Sequence, residues 1–165
     1  MTFAPKTFLV GEVVSAATLN TEIRDQFNSM FDPWTTYTPA WTSSGTNPSL
    51  GSGNLTGRYM KIGRTVHLGI LLVAAANTTW GSGAYSFAAP ALSATTGVAW
   101  VGGARLSGTA TWIGQCNLSA NTTLINVAFP ASATDARASN MQATSPETHA
   151  ATTSLRLTLT YQSAT

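Results

Sequence analysis

The N-terminal part of the chain carries hydrophobic side chains at helical spacing. Polar residues take the other faces, while the apolar ones recur every three or four positions: Ala16, Leu19, Ile23, Phe27 and Met30. Ser15 is the predicted N-cap, because its hydroxyl can accept a hydrogen bond from a free N–H of the first turn. Asp32 ends the helix, because the residue before a proline avoids the α region. The pattern predicts an amphipathic helix over about residues 15–31.

This helix needs a packing partner. About fifteen residues form only a marginally stable helix alone in water. The apolar stripe must therefore pack against the rest of the chain, or against further copies of itself in a short coiled coil. The residues alone leave both alternatives open.

After Pro33 the periodicity changes to that of strands. Glycine, proline and Asn/Ser/Thr clusters recur about every 8 to 15 residues, which is typical of a sandwich or barrel. Residues 62–65 read as a tight hairpin turn with Gly63 first in a two-residue loop. That register places Tyr59 opposite Leu68 and Met60 opposite His67. We therefore predict a mostly β protein with an antiparallel β-sandwich or jelly-roll-like domain after the short helix.

Further strands follow the same alternation. At the C-terminal end one buried face is predicted, formed by Leu155, Leu157, Leu159 and Tyr161. Other predicted strands cover residues 84–88, 98–106, 109–113 and 124–129. Residues 37–42 are a predicted first strand, placed at an edge by Pro39. The weakly periodic residues 131–153 are a predicted long surface excursion, and such long loops are often functional.

Charge is scarce, at 8% of residues against roughly 25% in an average soluble domain. Four of the six acids precede residue 33, which leaves Asp135 and Glu147 for the β domain. A hydrolase needs an activated nucleophile or paired carboxylates, so we interpret these two as solvated loop charges and predict no enzyme. The net charge of +2 comes from scattered basic residues, so we predict no nucleic-acid partner.

The remaining reactive side chains are few. Cys116 is the single cysteine, and His67 and His149 are the only histidines. We interpret Cys116 as a small buried apolar residue and predict neither a metal site nor a cofactor. No stretch reaches the roughly 20 apolar residues of a membrane span, and the N-terminus lacks the pattern of a signal peptide. We therefore expect that the chain is synthesised in the cytoplasm and does not insert into a membrane.

Five tryptophans stand out in so uncharged a chain. A buried core position is the commoner placement for any one of them, whereas an exposed indole stacks on sugar rings. Trp80, beside a Gly-Ser-Gly turn, is the best candidate for exposure. The predicted glycan-contact set combines two tryptophans with residues of the long loop: Trp80, Trp112, Asp135, Arg137 and His149.

Several segments together resemble a known family. Residues 10–28 (VGEVVSAATLNTEIRDQFN) are similar to the N-terminal module of minor tail and fibre-like proteins of actinobacterial tailed phages. Residues 37–42 (YTPAWT), 47–67 (NPSLGSGNLTGRYMKIGRTVH), 81–87 (GSGAYSF) and 157–161 (LTLTY) are similar to the β domain of these proteins. The resemblance covers most of the chain and is most specific in its first ninety or so residues.

The resemblance implies a homotrimeric virion-surface protein made in the bacterial host, with no catalytic residues to transfer. Residues 1–34 are then an attachment arm and trimerisation helix, with residues 1–14 docked on other virion proteins, and residues 35–165 are the β-sandwich head. The implied trimer interface is the apolar stripe: Leu19, Ile23, Phe27 and Met30.

Three functions are compatible with this organisation. The first is a tail-fibre or receptor-binding protein whose distal loops contact a host cell-wall glycan. The second is a capsid decoration protein or head fibre bound to the major capsid protein, which needs no further chemistry. The third is a subunit of a cell-wall hydrolase that uses Asp135 and Glu147.

Overall fold

A computed structural model describes residues 6–164, apart from two side chains in the helix. In this structure the helix begins at Ser15, as predicted. The Ser15 hydroxyl accepts a hydrogen bond from the amide of Thr18 at 3.1 Å. Helix α1 (Ala16–Leu19) continues through a π-helical turn (Asn20–Arg24) into α2 (Asp25–Ser29). The amides of Met30 and Phe31 bond to carbonyls three residues back. This tightened turn ends the helix two residues earlier than predicted.

In the described part of the chain ten strands form one antiparallel sheet, which confirms the mostly β prediction. The strands are β1 (Thr35–Tyr37), β2 (Trp41–Ser43), β3 (Asn54–Ile62), β4 (Thr65–Val73), β5 (Tyr85–Ala88), β6 (Trp100–Ser107), β7 (Thr111–Leu118), β8 (Leu124–Pro130), β9 (Ala138–Asn140) and β10 (Ser154–Gln162). Their order in the sheet is β1-β3-β4-β10-β6-β7-β8-β5-β2, and β9 pairs with β8. The sheet curls into a half-barrel around one hydrophobic core.

The β3–β4 hairpin has the predicted turn and register. Gly63 has a φ of +59° and Arg64 does not share the left-handed region, which is the pattern of a type II′ turn. Tyr59 lies opposite Leu68, and Met60 lies opposite His67. Strand β4 also pairs with β10 along its full length, so this hairpin leads directly into the centre of the sheet.

Strand β10 confirms the predicted C-terminal alternation. Its apolar residues from Leu155 to Tyr161 are buried, and Arg156, Thr158 and Thr160 between them are exposed. The strand lies between β4 and β6. It therefore supplies the core with one face and the outer surface of the sheet with the other.

The predicted single strand at residues 37–42 is instead two strands. Tyr37 pairs with β3 at one edge of the sheet, and Trp41 pairs with β5 at the other edge. Four residues separate their Cα atoms by at most roughly 15 Å, so the two edges lie close together. Across this gap the Tyr37 hydroxyl donates to the Ala88 carbonyl at 3.2 Å. The backbone changes partners around Pro39, which has no N–H to donate to a sheet.

The predicted surface excursion at residues 131–153 is wrong for its second half. Met141 is fully buried, and Pro146 and His149 are buried as well. The Met141 amide donates to the Val127 carbonyl, and its carbonyl accepts from the Tyr85 amide. These bonds hold the segment against β8 and β5, so it covers part of the core instead of extending into solvent.

Candidate functional site

The apolar stripe of the helix is exposed in the single chain. The relative exposures are 44% for Leu19, 49% for Ile23, 60% for Phe27 and 45% for Met30. A different side of the helix, with Asp25 and Asn28, lines a groove beside Tyr59 and Lys61 of the β3–β4 hairpin. The predicted interface residues thus form one open surface that the β domain does not cover.

The segment before the helix turns at residues 9–12 and carries exposed apolar side chains. Leu9, Val10 and Val13 are all exposed. The Lys6 ammonium pairs with Glu12, and the Lys6 amide donates to the Glu22 carboxylate at 2.9 Å. These contacts tie residues 6–12 back to the helix. The prediction that residues 1–14 dock on other virion proteins falls partly on residues 1–5, which lie outside the described residues.

Two of the predicted contact residues, Trp80 and His149, belong to an aromatic cluster at one edge of the core. Ring centroids are 4.6 Å apart for Trp80 and His149, and 5.4 Å apart for Trp41 and Trp80. Trp41 also stacks on Phe87 and meets Tyr85 edge-on. Trp80 is half-buried against this core, so it is a packing residue more than the exposed platform that its turn suggested.

His149 is buried, which corrects its prediction as a surface contact. Its side chain is only 6% exposed. Among the described residues, no hydrogen bond of good geometry reaches either ring nitrogen, and the same holds for the indole N–H of Trp41. Burial lowers the pKa of His149, and the nearby Glu147 carboxylate and the backbone carbonyls of Gln142 and Ser145 oppose that effect only in part. The imidazole therefore packs as a ring and does not face solvent.

Glu147 is a bound carboxylate, which corrects its interpretation as a solvated charge. It accepts hydrogen bonds from the Trp112 indole at 2.9 Å and from the amides of Thr109 and Ala110 at 2.9 and 3.1 Å. Burial opposes its ionisation, but these donors outweigh burial and lower the pKa of Glu147. The carboxylate thus fastens the loop to the β6–β7 turn and occupies the polar edge of Trp112.

Asp135 and Arg137 pair with each other. The Arg137 guanidinium donates to both Asp135 oxygens, with the shortest contact at 2.6 Å, and this lowers the pKa of Asp135. Arg137 remains highly exposed. Asp135 and Glu147 therefore have separate partners, and no contact joins them into a catalytic pair. Within residues 6–164, no three His, Cys, Asp or Glu side chains come together as metal ligands.

No family model, curated protein or solved structure matches this chain. The resemblance to phage tail and fibre proteins therefore stays a prediction. No helix among the described residues has the length and apolar character needed to cross a lipid bilayer.

The structure also assembles residues that the sequence did not connect. Arg58, Arg105 and Arg156 lie on the outer face of the sheet, Arg105 directly opposite Arg156 on adjacent strands and Arg58 two strands from Arg156. About fifty residues separate each arginine from the next along the chain. Only the strand register reveals this group, because in the sequence Arg58 stands beside Lys61 and Arg64 instead.

Proposed function

We propose that this chain is a trimeric structural protein on the exterior of a tailed-phage virion, made in the bacterial host and contacting the host cell surface as a tail-fibre component. The observation that carries the proposal is the exposed helix stripe of Leu19, Ile23, Phe27 and Met30. A soluble chain seldom leaves such a stripe open, and contiguous exposed apolar surface marks an interaction site.

The size of the stripe sets the expected strength of the trimer. Full burial of one such side chain contributes roughly 1.5–3 kcal/mol, and these four are already about half covered. A gain of a few kcal/mol per copy competes with an association cost of about 4–15 kcal/mol. The trimer is therefore expected to depend on concentration in solution and to be reinforced where the arm docks on the virion.

The head is proposed to act through its surface and not through catalysis. In support, Asp135 is held by Arg137, and Glu147 is held by Trp112 and two backbone amides. We further propose that the two halves of the curled sheet act as the layers of a sandwich-type head. Side chains from β4 and β10 and from β7 and β8 meet in one core, which supports this description.

Sedimentation velocity of the full chain tests the trimer. We expect a trimer mass that falls to the monomer mass on dilution. Ile23→Asp should be monomeric throughout, because it places a charge in the apolar seam. Asn28→Asp, which adds the same charge on the groove side of the helix, should remain trimeric. A wild-type chain that stays monomeric at all concentrations, or an unchanged Ile23→Asp trimer, would overturn the proposal.

The capsid decoration alternative is favoured by a different feature, the exposed apolar residues Leu9, Val10 and Val13. Such an arm suits docking on a capsid shell as well as on a tail. Gold-labelled antibody on intact particles separates the two locations. Label at the tail supports a fibre component, label over the capsid supports decoration, and particles without label contradict both.

A further inference from the structure

Three arginines form a group on the outer face of the sheet, and none of the described residues pairs with them. Arg156 on β10 is directly opposite Arg105 on β6. Arg58 on β3 lies two strands from β10, roughly 10 Å away, in the row that continues through Gly69 to Thr158. The long side chains of all three can therefore reach one shared patch, which we call the arginine patch.

The arginine patch is electrostatically unfavourable in the isolated chain. Like charges directly opposite each other on antiparallel strands destabilise a sheet. Within the described part of the chain, these arginines make no ion pair or hydrogen bond. The two acids of the head, Asp135 and Glu147, are bound elsewhere. An anion supplied from outside would remove this repulsion.

A groove runs beside the arginine patch, with a volume of roughly 490 Å³. Trp34, Arg58, Leu71 and Arg156 form its walls, and Gly69 lies in its floor. Trp34 is 43% exposed, so part of its indole face is open to a ligand. An exposed indole beside guanidinium groups offers both stacking and charge-assisted hydrogen bonds.

The glycine in the floor has no explanation within the fold. A Cβ at Gly69 would meet only the Leu157 carbonyl, at 3.8 Å, and its φ is not left-handed. By contrast, a Cβ at Gly57, Gly102 or Gly114 would lie within about 2.2 Å of neighbouring atoms. Glycine weakens a strand interior and often marks a site where another group approaches closely. At Gly69 the space above the backbone belongs to the groove.

The geometry points to a binding site for an acidic polysaccharide on the outer face of β3, β4, β10 and β6. Carboxylates of the polymer pair with Arg58, Arg105 and Arg156, while a sugar ring stacks on Trp34 above Gly69. This inference rests on the proposed function and names the class of host-surface ligand. A nucleic acid fits less well, because its binders neutralise many phosphates and this chain has a net charge of only +2.

Calorimetric titration with polygalacturonate oligosaccharides tests the site. We expect saturable binding that weakens as salt rises. Arg156→Gln and Trp34→Ala should each weaken binding at least tenfold, and Gly69→Leu should abolish it by filling the groove. Arg64→Gln is the matched control, because it removes the same charge at the β3–β4 turn, outside the groove, and it should bind within twofold of wild type. Thermal unfolding of each variant checks that it is folded.

Each other outcome overturns a specific part of the inference. If polyphosphate bound equally well and Trp34→Ala had no effect, the site would be one for polyanions in general and not for an acidic sugar. If Arg156→Gln changed the oligomeric mass, the arginine patch would be a contact between copies of the chain and not a ligand site. Absence of polygalacturonate binding from a trimeric protein located on the tail would remove the groove inference and leave the proposed function standing. If the protein were neither trimeric nor located on the virion, the proposed function itself would be wrong.

Discussion

The helix and the head carry equally regular hydrophobic patterns, but the head buries its apolar side chains and the helix exposes them. In the head, alternate residues such as Leu72, Leu106 and Leu157 are buried in one core. In the helix, Ile23 and Phe27 recur at the expected spacing and remain exposed. The head brings together strands that cover each other's apolar faces, whereas the described residues offer the helix stripe no such partner. A regular apolar pattern therefore predicts a packing surface, but it does not say whether the same molecule covers that surface.

The largest effect should come from a cavity in the head. Leu157→Ala is expected to lower the free energy of unfolding by about 2–5 kcal/mol, because Leu157 is 1% exposed and the core cannot fully collapse around the void. Urea unfolding followed by tryptophan fluorescence measures this. The loss should be independent of protein concentration.

Ile23→Ala is the matched change in the helix. Below the concentration at which the proposed trimer would form, it should leave the unfolding of the head within about 0.5 kcal/mol of wild type. Its effect should appear only as weaker association. If Ile23→Ala destabilised the dilute protein as much as Leu157→Ala does, the helix would be part of the head and the comparison would fail.

The second effect concerns the bond between the long loop and the β6–β7 turn. Glu147→Gln should cost about 1–3 kcal/mol of unfolding free energy, because the amide cannot satisfy the Trp112 indole and two backbone amides as the carboxylate does. Asp135→Asn, which breaks an exposed ion pair, should cost less unfolding free energy than Glu147→Gln does. Thermal unfolding of both variants decides whether the second half of the loop belongs to the head, and equal losses would contradict that placement.

The same carboxylate predicts acid sensitivity. Because the folded pKa of Glu147 lies below its ordinary value of 4.5, its contribution is present above that pH. The contribution is lost as the pH falls through the lower folded pKa. Glu147→Gln should therefore differ less from wild type at pH 3 than at pH 7.

A smaller effect should arise from His149 at milder pH. Burial lowers its pKa below the ordinary value of 6.5, so below that pH the unfolded chain takes up a proton that the folded chain does not. Stability should accordingly fall as the pH drops from about 6.5 towards the folded pKa. The fall in Tm between pH 7.5 and pH 5 should be reduced in His149→Gln. A His149→Gln variant that kept the full wild-type fall would argue against a buried His149 with a lowered pKa.

Local pairings were predictable from sequence, and distant ones were not. The β3–β4 hairpin follows from Gly63 and the alternation on either side, because both partners lie within nine residues of the turn. Residues 37–42 divide between two edges because Tyr37 pairs with β3 and Trp41 pairs with β5. No local sequence pattern encodes either of these pairings. The arginine patch is hidden for the same reason, since Arg105 and Arg156 meet only through the register of β6 and β10.

Candidate contact residues were harder to place than strands. The polar composition of residues 131–153 indicates a surface loop, yet Met141 and Pro146 provide enough apolar surface to hold its second half on the core. His149 follows them inward because its ring packs against that of Trp80. Exposure of a loop residue depends on what its neighbours bury, and three or four apolar side chains in a polar segment are too few to form a periodic signal.

A change in the helix cap should have the smallest effect on the head, and it tests most directly whether the helix and the head unfold separately. Ser15→Ala removes the hydroxyl that accepts from the Thr18 amide and should cost the helix about 0.5–2 kcal/mol. Because the stripe is not packed on the head, circular dichroism should show less helix in the dilute protein, with an unchanged unfolding midpoint of the head. Association should weaken as well, since an unformed helix must be ordered before it can pair. Ser15→Asp restores an N-cap acceptor and should restore both the helix signal and the trimer. A shifted midpoint of the head in Ser15→Ala would instead show that the helix and the head unfold together.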